Sequence, residues 1–218
     1  MLVDNTSKLK KVMVFNPQKS YYKFVALIRA KDYRDGDEKP VLTNTEKQEV
    51  FVRQWLVDSE EALDKCLPDM LAVTEMFKCR LYMTTDRKST VKTMMYARNK
   101  LTECLDHFVM SENASISVRM LNKLIPSASQ VSESSDGEKR WMFDVDTKDE
   151  NVLKYVQEQV CGEYYLETFE TKNGYHVLAN KKFNANVGMD ENVAKYVEVK
   201  SNALVLVAMG GWLWQKYH

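Results

Sequence analysis

The stretch that decides the fold is RWMFDVDTKDENVLKYVQEQVCGEYYLETFETKNGYHVLAN, residues 140–180. Its hydrophobic spacing predicts a strand over 140–146, an amphipathic helix over 149–161, and two further strands over 164–171 and 175–180. Asn173 and Gly174 stand between the last two strands. Because this pair adopts positive φ angles at little cost, the sequence predicts a tight hairpin there.

The segments before and after this stretch complete two predicted structural units. Downstream, a predicted short helix over 189–196 is followed by extended segments over 197–199 and 203–208. The order β-α-β-β-α-β predicts a ferredoxin-like, RRM-like palm over residues 136–218. Residues 1–135 predict an N-terminal α/β unit packed against the palm, so that both form one compact α/β (α+β) core. The predicted strands of that unit cover 21–30, 46–57 and 79–85, and its helices cover 58–77, 90–110 and 116–125.

Two stretches before residue 140 carry further expectations. The helix over 90–110 has an apolar stripe, which we expect to face the core because methionine fills irregular gaps in protein interiors. The stripe consists of Val91, Met94, Met95, Leu101, Leu105 and Phe108. Residues 127–139, SASQVSESSDGEK, are rich in serine, a composition typical of a linker between the two units.

Composition excludes several classes of protein. The 218 residues carry 31 Lys and Arg against 31 Asp and Glu, so the formal net charge is zero. A histone-like binder that neutralises many phosphates is therefore excluded, whereas a local basic groove is compatible with this balance. No apolar run is long enough to span a membrane, and the four cysteines form no CxxC pair. We expect a cytoplasmic protein with reduced thiols and no membrane partner.

Two aspartates in the first strand of the quoted stretch are the strongest candidates for chemistry. Side chains alternate along a strand, so Asp144 and Asp146 lie on one face while Phe143 and Val145 lie on the other. Two carboxylates this close repel each other unless a cation lies between them. Mg²⁺ and Mn²⁺ prefer oxygen ligands, and such ions can activate a 3′-hydroxyl and stabilise a leaving pyrophosphate.

The predicted hairpin adds a second group of polar side chains. Thr171, Lys172 and His176 lie close together in the sequence, one crossover after the aspartates. A hydroxyl, an ammonium and an imidazole on one short segment suit the binding of phosphate groups.

These motifs resemble the catalytic core of the archaeo-eukaryotic primase superfamily, which comprises primases and primase-polymerases. That family has a hydrophobic strand ending in DxD, a hairpin with a small residue two positions before a histidine, and a third acid after a hydrophobic residue. Here the first motif is WMFDVD and the second is GYH, from Gly174 to His176. Glu198, in YVE, is the better candidate for the third acid, which is commonly Asp in the family. Asp190 is the alternative.

The resemblance implies an enzyme that transfers nucleotides to a 3′-hydroxyl along a template by a two-metal mechanism. It implies that the metal ions, Mg²⁺ or Mn²⁺, are held by Asp144, Asp146 and Glu198. The phosphates of the nucleotide would be bound by His176, Lys172 and Thr171, and by Arg80, Lys88 and Ser89 of the N-terminal unit. The implied partners are nucleoside triphosphates, a single-stranded nucleic-acid template and a replication helicase.

Other functions are also compatible with these residues. Glu170-Thr171-Lys172 and Glu198-Val199-Lys200 both match ExK, which together with an upstream aspartate such as Asp146 is the arrangement of a metal-dependent restriction-type nuclease. A non-catalytic RRM-like module would instead stack bases on aromatic side chains of the sheet. The aromatic residues available for that role are Tyr164, Tyr165, Phe169 and Tyr175. A domain that uses none of these features is the remaining alternative.

Overall fold

The structure, a computed structural model, describes residues 1–16, 19–32, 49–110, 124, 126–131, 134–137, 139–180 and 189–211. The strands in these residues are β1 (Val3–Asp4), β2 (Ser20–Arg29), β3 (Glu49–Val57), β4 (Arg80–Thr84), β5 (Lys88–Ser89), β6 (Trp141–Val145), β7 (Tyr165–Glu170), β8 (Tyr175–Ala179), β9 (Val197–Ser201) and β10 (Leu204–Met209). The helices used below are α1 (Leu9–Val12), α2 (Glu60–Met76), α3 (Thr90–Met110), α4 (Glu150–Tyr155) and α5 (Glu191–Ala194). A π-helical turn, Val156–Cys161, extends α4.

The strands form two sheets in which neighbouring strands are antiparallel. The first sheet has the order β1-β10-β4-β2-β3, with the short β5 paired to β2. The second sheet has the order β7-β8-β6-β9. The predicted mixture of α and β structure is therefore confirmed, and both sheets are antiparallel.

Local sequence explains the main elements of the first unit. β2 lies in the middle of the first sheet, and its mostly apolar residues Ser20–Ile28 are all buried. α2 begins after Ser59, whose Oγ accepts a hydrogen bond from the Ala62 amide at 3.1 Å. Glu60 and Glu61 stand in its first turn, where negative charge favours the helix.

Both faces of β6 take part in packing, and this positions the candidate site. On one face, Phe143 and Val145 pack in a hydrophobic core with residues of α4. On the other face, Met142 belongs to a core that also contains residues of the first sheet. Because side chains alternate along a strand, Asp144 shares the face of Met142 and lies between the two sheets.

The last strand joins the two units. β10 follows β9 in the chain but pairs with β1 and β4 in the first sheet. The buried side chain of Asn5 ties this sheet to the second one: its Nδ2 donates to the carbonyls of Leu206 and Glu170 at 3.0 and 2.9 Å. Its Oδ1 accepts from the Glu170 amide at 2.9 Å. The edge strand β7 is thus held against β10.

The expectation that the methionine stripe of α3 faces the core is wrong. Val91, Met94 and Met95 are between 61% and 66% exposed, and Leu101 and Leu105 are exposed as well; the side chain of Phe108 lies outside the described residues. The buried face of α3 carries the smaller residues Thr93, Ala97 and Cys104. Thr93 Oγ1 shares a hydrogen bond of 2.9 Å with the hydroxyl of the buried Tyr21, so a close polar contact orients the helix.

The serine-rich segment also differs from its prediction as a linker. Its described residues Ala128, Ser129 and Ser134 are buried. Ser135 Oγ donates to the buried carboxylate of Asp86 at 3.1 Å, so the segment packs against the first unit. The predicted helix over 116–125 lies outside the described residues except for residue 124. No helix in the described part of the chain has the length and apolar composition needed to cross a bilayer.

Candidate functional site

A cavity of about 280 Å³ opens between the two sheets. It is lined on one side by residues of β6, β8, β9 and the loop after β7, and on the other by residues of β2, β4 and β10. Six of the nine residues predicted to bind metal or nucleotide line it: Arg80, Asp144, Asp146, Thr171, Lys172 and His176. Residues from both predicted units therefore meet at one place.

Asp144 is the centre of the polar contacts in this cavity. Strand register places it directly beside His176 of β8 and Glu198 of β9. Its Oδ2 accepts from Lys200 Nζ at 2.6 Å, and its Oδ1 lies 3.4 Å from His176 Nε2. Burial by itself would raise the pKa of Asp144, but the contacts with His176 and Lys200 outweigh it and hold that pKa well below its usual range. The carboxylate is therefore ionised at neutral pH.

The imidazole of His176 is held from both sides. It is buried, and its Nδ1 accepts a hydrogen bond from the backbone amide of Leu206 in β10 at 3.1 Å. Because Nδ1 is the acceptor, the ring proton is on Nε2, which faces Asp144. A backbone group of the first sheet thus fixes the tautomer of a histidine in the second sheet.

Lys200 lies between Asp144 and Glu198, two of the three acids that the resemblance assigned to metal ions. Its Nζ lies 2.6 Å from Asp144 Oδ2 and 2.7 Å from Glu198 Oε2. Burial would lower the pKa of Lys200, but its hydrogen bonds to the two carboxylates raise it. In the sequence Lys200 was noted only as part of an ExK match. The alternation of side chains in β9 was the signal that placed it on the face of Glu198.

The loop between β7 and β8 places Thr171 and Lys172 at the mouth of the cavity. Thr171 N donates to the Gly174 carbonyl at 2.9 Å, and Thr171 Oγ1 accepts from the Gly174 amide at 3.0 Å. The prediction of positive φ angles at Asn173 and Gly174 is wrong, since neither residue has one. Gly174 is required for a different reason: a Cβ there would lie 1.8 Å from the carbonyl oxygen of Val145. The loop can therefore lie close to the end of β6.

The opposite wall of the cavity carries two arginines, each paired with an acid. The Arg80 guanidinium donates to Asp32 through Nε at 2.7 Å and Nη2 at 2.5 Å, which fixes its orientation. Arg29, which the sequence had not singled out, lies 5.2 Å from the ring centre of Tyr82 and 3.2 Å from Glu49 Oε1. Arg29 stands two residues beyond Leu27, the register partner of Arg80, so the pairing of β2 with β4 brings the two side chains together.

Four of the residues predicted for the site do not line the cavity in the described structure. Lys88 is buried and donates to Asn202 Oδ1 at 2.5 Å, and Ser89 Oγ accepts from the Lys92 amide at 3.3 Å. Asp190 caps α5 by accepting from the Asn192 amide at 2.8 Å. Glu198 touches the cavity only through Lys200, and its side chain is largely exposed.

The residues present fit a hard divalent cation by their chemistry. Asp144, Asp146 and Glu198 offer carboxylate oxygens, and the ammonium of Lys200 already marks a point where two of them stabilise positive charge. As the side chains stand, the described residues contain no cluster of three or more His, Cys, Asp or Glu groups arranged to hold a metal ion. A metal would therefore need to share or take over the contacts of Lys200.

The positions of these side chains can also be compared with those expected for a nuclease and for a non-catalytic RRM-like module. Glu170 pairs with Lys148 at 2.9 Å and does not line the cavity in the described structure, whereas Glu198 and Lys200 contact each other beside Asp144. Of the four candidate aromatic residues, Phe169 is fully buried against the first sheet. The other three, Tyr164, Tyr165 and Tyr175, pack on the core around Phe143. A comparison with protein-family models, curated proteins and solved structures found no match to the chain.

Proposed function

We propose that this protein is a primase-polymerase-like nucleotidyltransferase that adds nucleotides to a 3′-hydroxyl on a nucleic-acid template. The observation that carries the proposal is the meeting of Asp144, Asp146 and His176 with Arg80 and Lys172 in one cavity. Acids and phosphate-binding groups around one cavity suit a reaction in which a triphosphate must be bound beside an ionised hydroxyl.

The order of the elements supports a ferredoxin-like palm. β6, α4, β7, β8, α5 and β9 follow one another as β-α-β-β-α-β. In the sheet, β6 and β8 are central while β7 and β9 form the edges. Asp144 and His176 lie on these two central strands, on the side of the palm that faces the first sheet.

Seven residues in and beside the cavity have a role in this reaction. Asp144, Asp146 and Glu198 would hold Mg²⁺ or Mn²⁺, which would supply activation of the hydroxyl and neutralisation of charge on the transferred group. Arg29, Arg80 and Lys172 bind the oxygens of the triphosphate. His176 donates a hydrogen bond from Nε2 to a phosphate oxygen of the nucleotide, while the Leu206 amide of β10 holds the ring in place.

Preorganisation is the main contribution of the protein in this account. Burial by itself would lower the pKa of Arg80, but its hydrogen bonds to Asp32 raise it above the ordinary value, and the side chain is fixed before any substrate arrives. Asp144 likewise stays ionised because its pKa is lowered. Fixed charges need no reorganisation during the reaction. Sites of this kind lower the activation barrier because that reorganisation is avoided. The proposed partners are nucleoside triphosphates, a single-stranded template and a replication helicase, in the cytoplasm.

One assay tests the reaction class. The protein is mixed with an end-labelled primer on a single-stranded template, with Mn²⁺ or Mg²⁺ and all nucleoside triphosphates. We expect labelled strands longer than the primer, formed only when metal and nucleotides are both present. Shorter strands, formed without nucleotides, would contradict the proposal and identify a nuclease.

A restriction-type nuclease is the second candidate function, because one group of contacts favours it. Asp144, Glu198 and Lys200 touch one another, as an aspartate followed by ExK on an adjacent strand would in a restriction-type nuclease. In that function Lys200 acts on the attacking water, so Lys200→Met would abolish cleavage. In the polymerase Lys200 has no such step.

A further inference from the structure

Lys200 is a charged residue of the cavity to which the proposed reaction gives no role. Its ammonium bridges Asp144 and Glu198 at 2.6 and 2.7 Å. Both oxygens of the Asp144 carboxylate are engaged in this way, Oδ2 by Lys200 and Oδ1 by His176. A divalent cation that binds Asp144 would lie beside the Lys200 ammonium, and repulsion between the two positive charges makes them compete for the carboxylate.

The two groups differ in how firmly they are held. His176 is buried and is anchored on its far side by the Leu206 amide at 3.1 Å. Lys200 lies on a flexible four-carbon stem and is a third exposed. The ion pairs found for it among the described residues are those with the same two acids. Lys200 is thus the group that can leave without disturbing β10.

We infer that Lys200 is a displaceable counter-ion that closes the metal site and sets its affinity: a divalent ion binds Asp144 and Glu198 only by expelling the ammonium. The inference rests on the proposed function, since it deepens the account of the same metal site. Lys200 lines the cavity, so its side chain can turn toward the open space where an anionic substrate would lie. It is a positioning and affinity-setting residue rather than a catalytic one.

The consequence for metal binding is a measurable competition. Removing the ammonium leaves the two acids uncompensated, so the metal no longer has to break an existing pair of charge-assisted hydrogen bonds. Such bonds contribute about 1.5–3 kcal/mol, which corresponds to a roughly ten- to hundred-fold change in dissociation constant. Lys200→Arg keeps the positive charge and the contact, so it should keep the weak metal affinity.

The test is a Mn²⁺ titration followed by the paramagnetic resonance signal of the free ion, with no nucleotide or nucleic acid present. We expect Lys200→Met to bind Mn²⁺ about ten- to a hundred-fold more tightly than the unmodified protein. Adding Asp144→Asn to Lys200→Met should remove this binding. Lys10→Met is the matched control, because it breaks a surface ion pair with Asp64 and removes the same charge far from the cavity. Thermal unfolding confirms that each variant is folded.

The outcomes separate the inference from the function on which it rests. Equal, Asp144-dependent affinities for the unmodified protein and Lys200→Met would overturn the inference and leave the proposed metal site standing. Weaker binding by Lys200→Met would also overturn it, because Lys200 would then support the ligands. No Asp144-dependent binding by any variant would overturn both. The same gain in Mn²⁺ affinity in Lys10→Met would show a general effect of charge and would contradict a local role of Lys200.

Discussion

Asp144 is the residue on which the candidate site depends, because it connects three strands by its side chain. The aspartate pair and the histidine were identifiable from the sequence, since strand alternation alone puts Asp144 and Asp146 on one face. The partner that fills the space between Asp144 and Glu198 was not predicted. Lys200 is placed there by the register of β6 with β9, and register depends on tertiary packing rather than on local pattern.

The pH dependence of stability follows from the lowered pKa of Asp144. An unfolded aspartate titrates near pH 4, whereas the folded carboxylate keeps its charge to lower pH. The stabilisation is therefore fully present above the unfolded pKa and is lost as pH falls from about 4 toward the folded value. We expect the unmodified protein to lose on the order of 1–2 kcal/mol more of its unfolding free energy than Asp144→Asn over this range.

Urea unfolding at a series of pH values between 6 and about 3 measures this difference. Asp64→Asn is the control, because Asp64 pairs with Lys10 at the exposed surface and an exposed pair contributes little. Parallel pH profiles for the unmodified protein and Asp144→Asn would contradict the assigned contacts.

At the scale of elements, the sequence located most helices and strands but not always the face that each one buries. α3 was found over its full length, yet the interior contact uses Thr93, Ala97 and Cys104 rather than the larger methionines. Hydrophobic periodicity finds a helix but does not tell a small-residue face from a large one. The loop at Gly174 shows the same limit, because its glycine serves a close approach to Val145 that only the folded chain reveals.

The exposed stripe of α3 predicts a contrast between two methionines. Met94 is 66% exposed, whereas Met70 of α2 is completely buried. We expect Met70→Ala to lower the free energy of unfolding by about 2–5 kcal/mol and Met94→Ala to change it by less than about 0.5 kcal/mol. Chemical denaturation of both variants measures the contrast. A similar loss in the two would mean that the stripe of α3 is covered.

At the scale of the whole molecule, the cavity exists because the chain crosses back to the first sheet after β9. β10 pairs with β4 and carries the Leu206 amide that orients His176, so the last strand contributes to both the fold and the site. The sequence predicted this segment as extended and included it in the palm over 136–218, whereas the strand pairs within the first sheet, since an apolar strand fits either sheet. Its balance of 31 basic and 31 acidic residues is compatible with a local site that combines acids and cations.

The central claim is that Asp144 and Asp146 form the metal-dependent centre of a nucleotide-transferring enzyme. The measurement that tests it most directly is Mn²⁺-dependent incorporation of a labelled nucleotide on a primed single-stranded template. The comparison is between the unmodified protein, the double variant Asp144→Asn with Asp146→Asn, and Asp149→Asn. Asp149 is a suitable control because it is an exposed aspartate near the same strand that caps α4, and asparagine caps helices equally well.

We expect the unmodified protein and Asp149→Asn to incorporate nucleotide at similar rates, while the double variant, with the carboxylates that hold the metal removed, falls at least about a hundred-fold. A folded double variant that incorporates nucleotide at the rate of the unmodified protein, or an unmodified protein that incorporates none, would contradict the account.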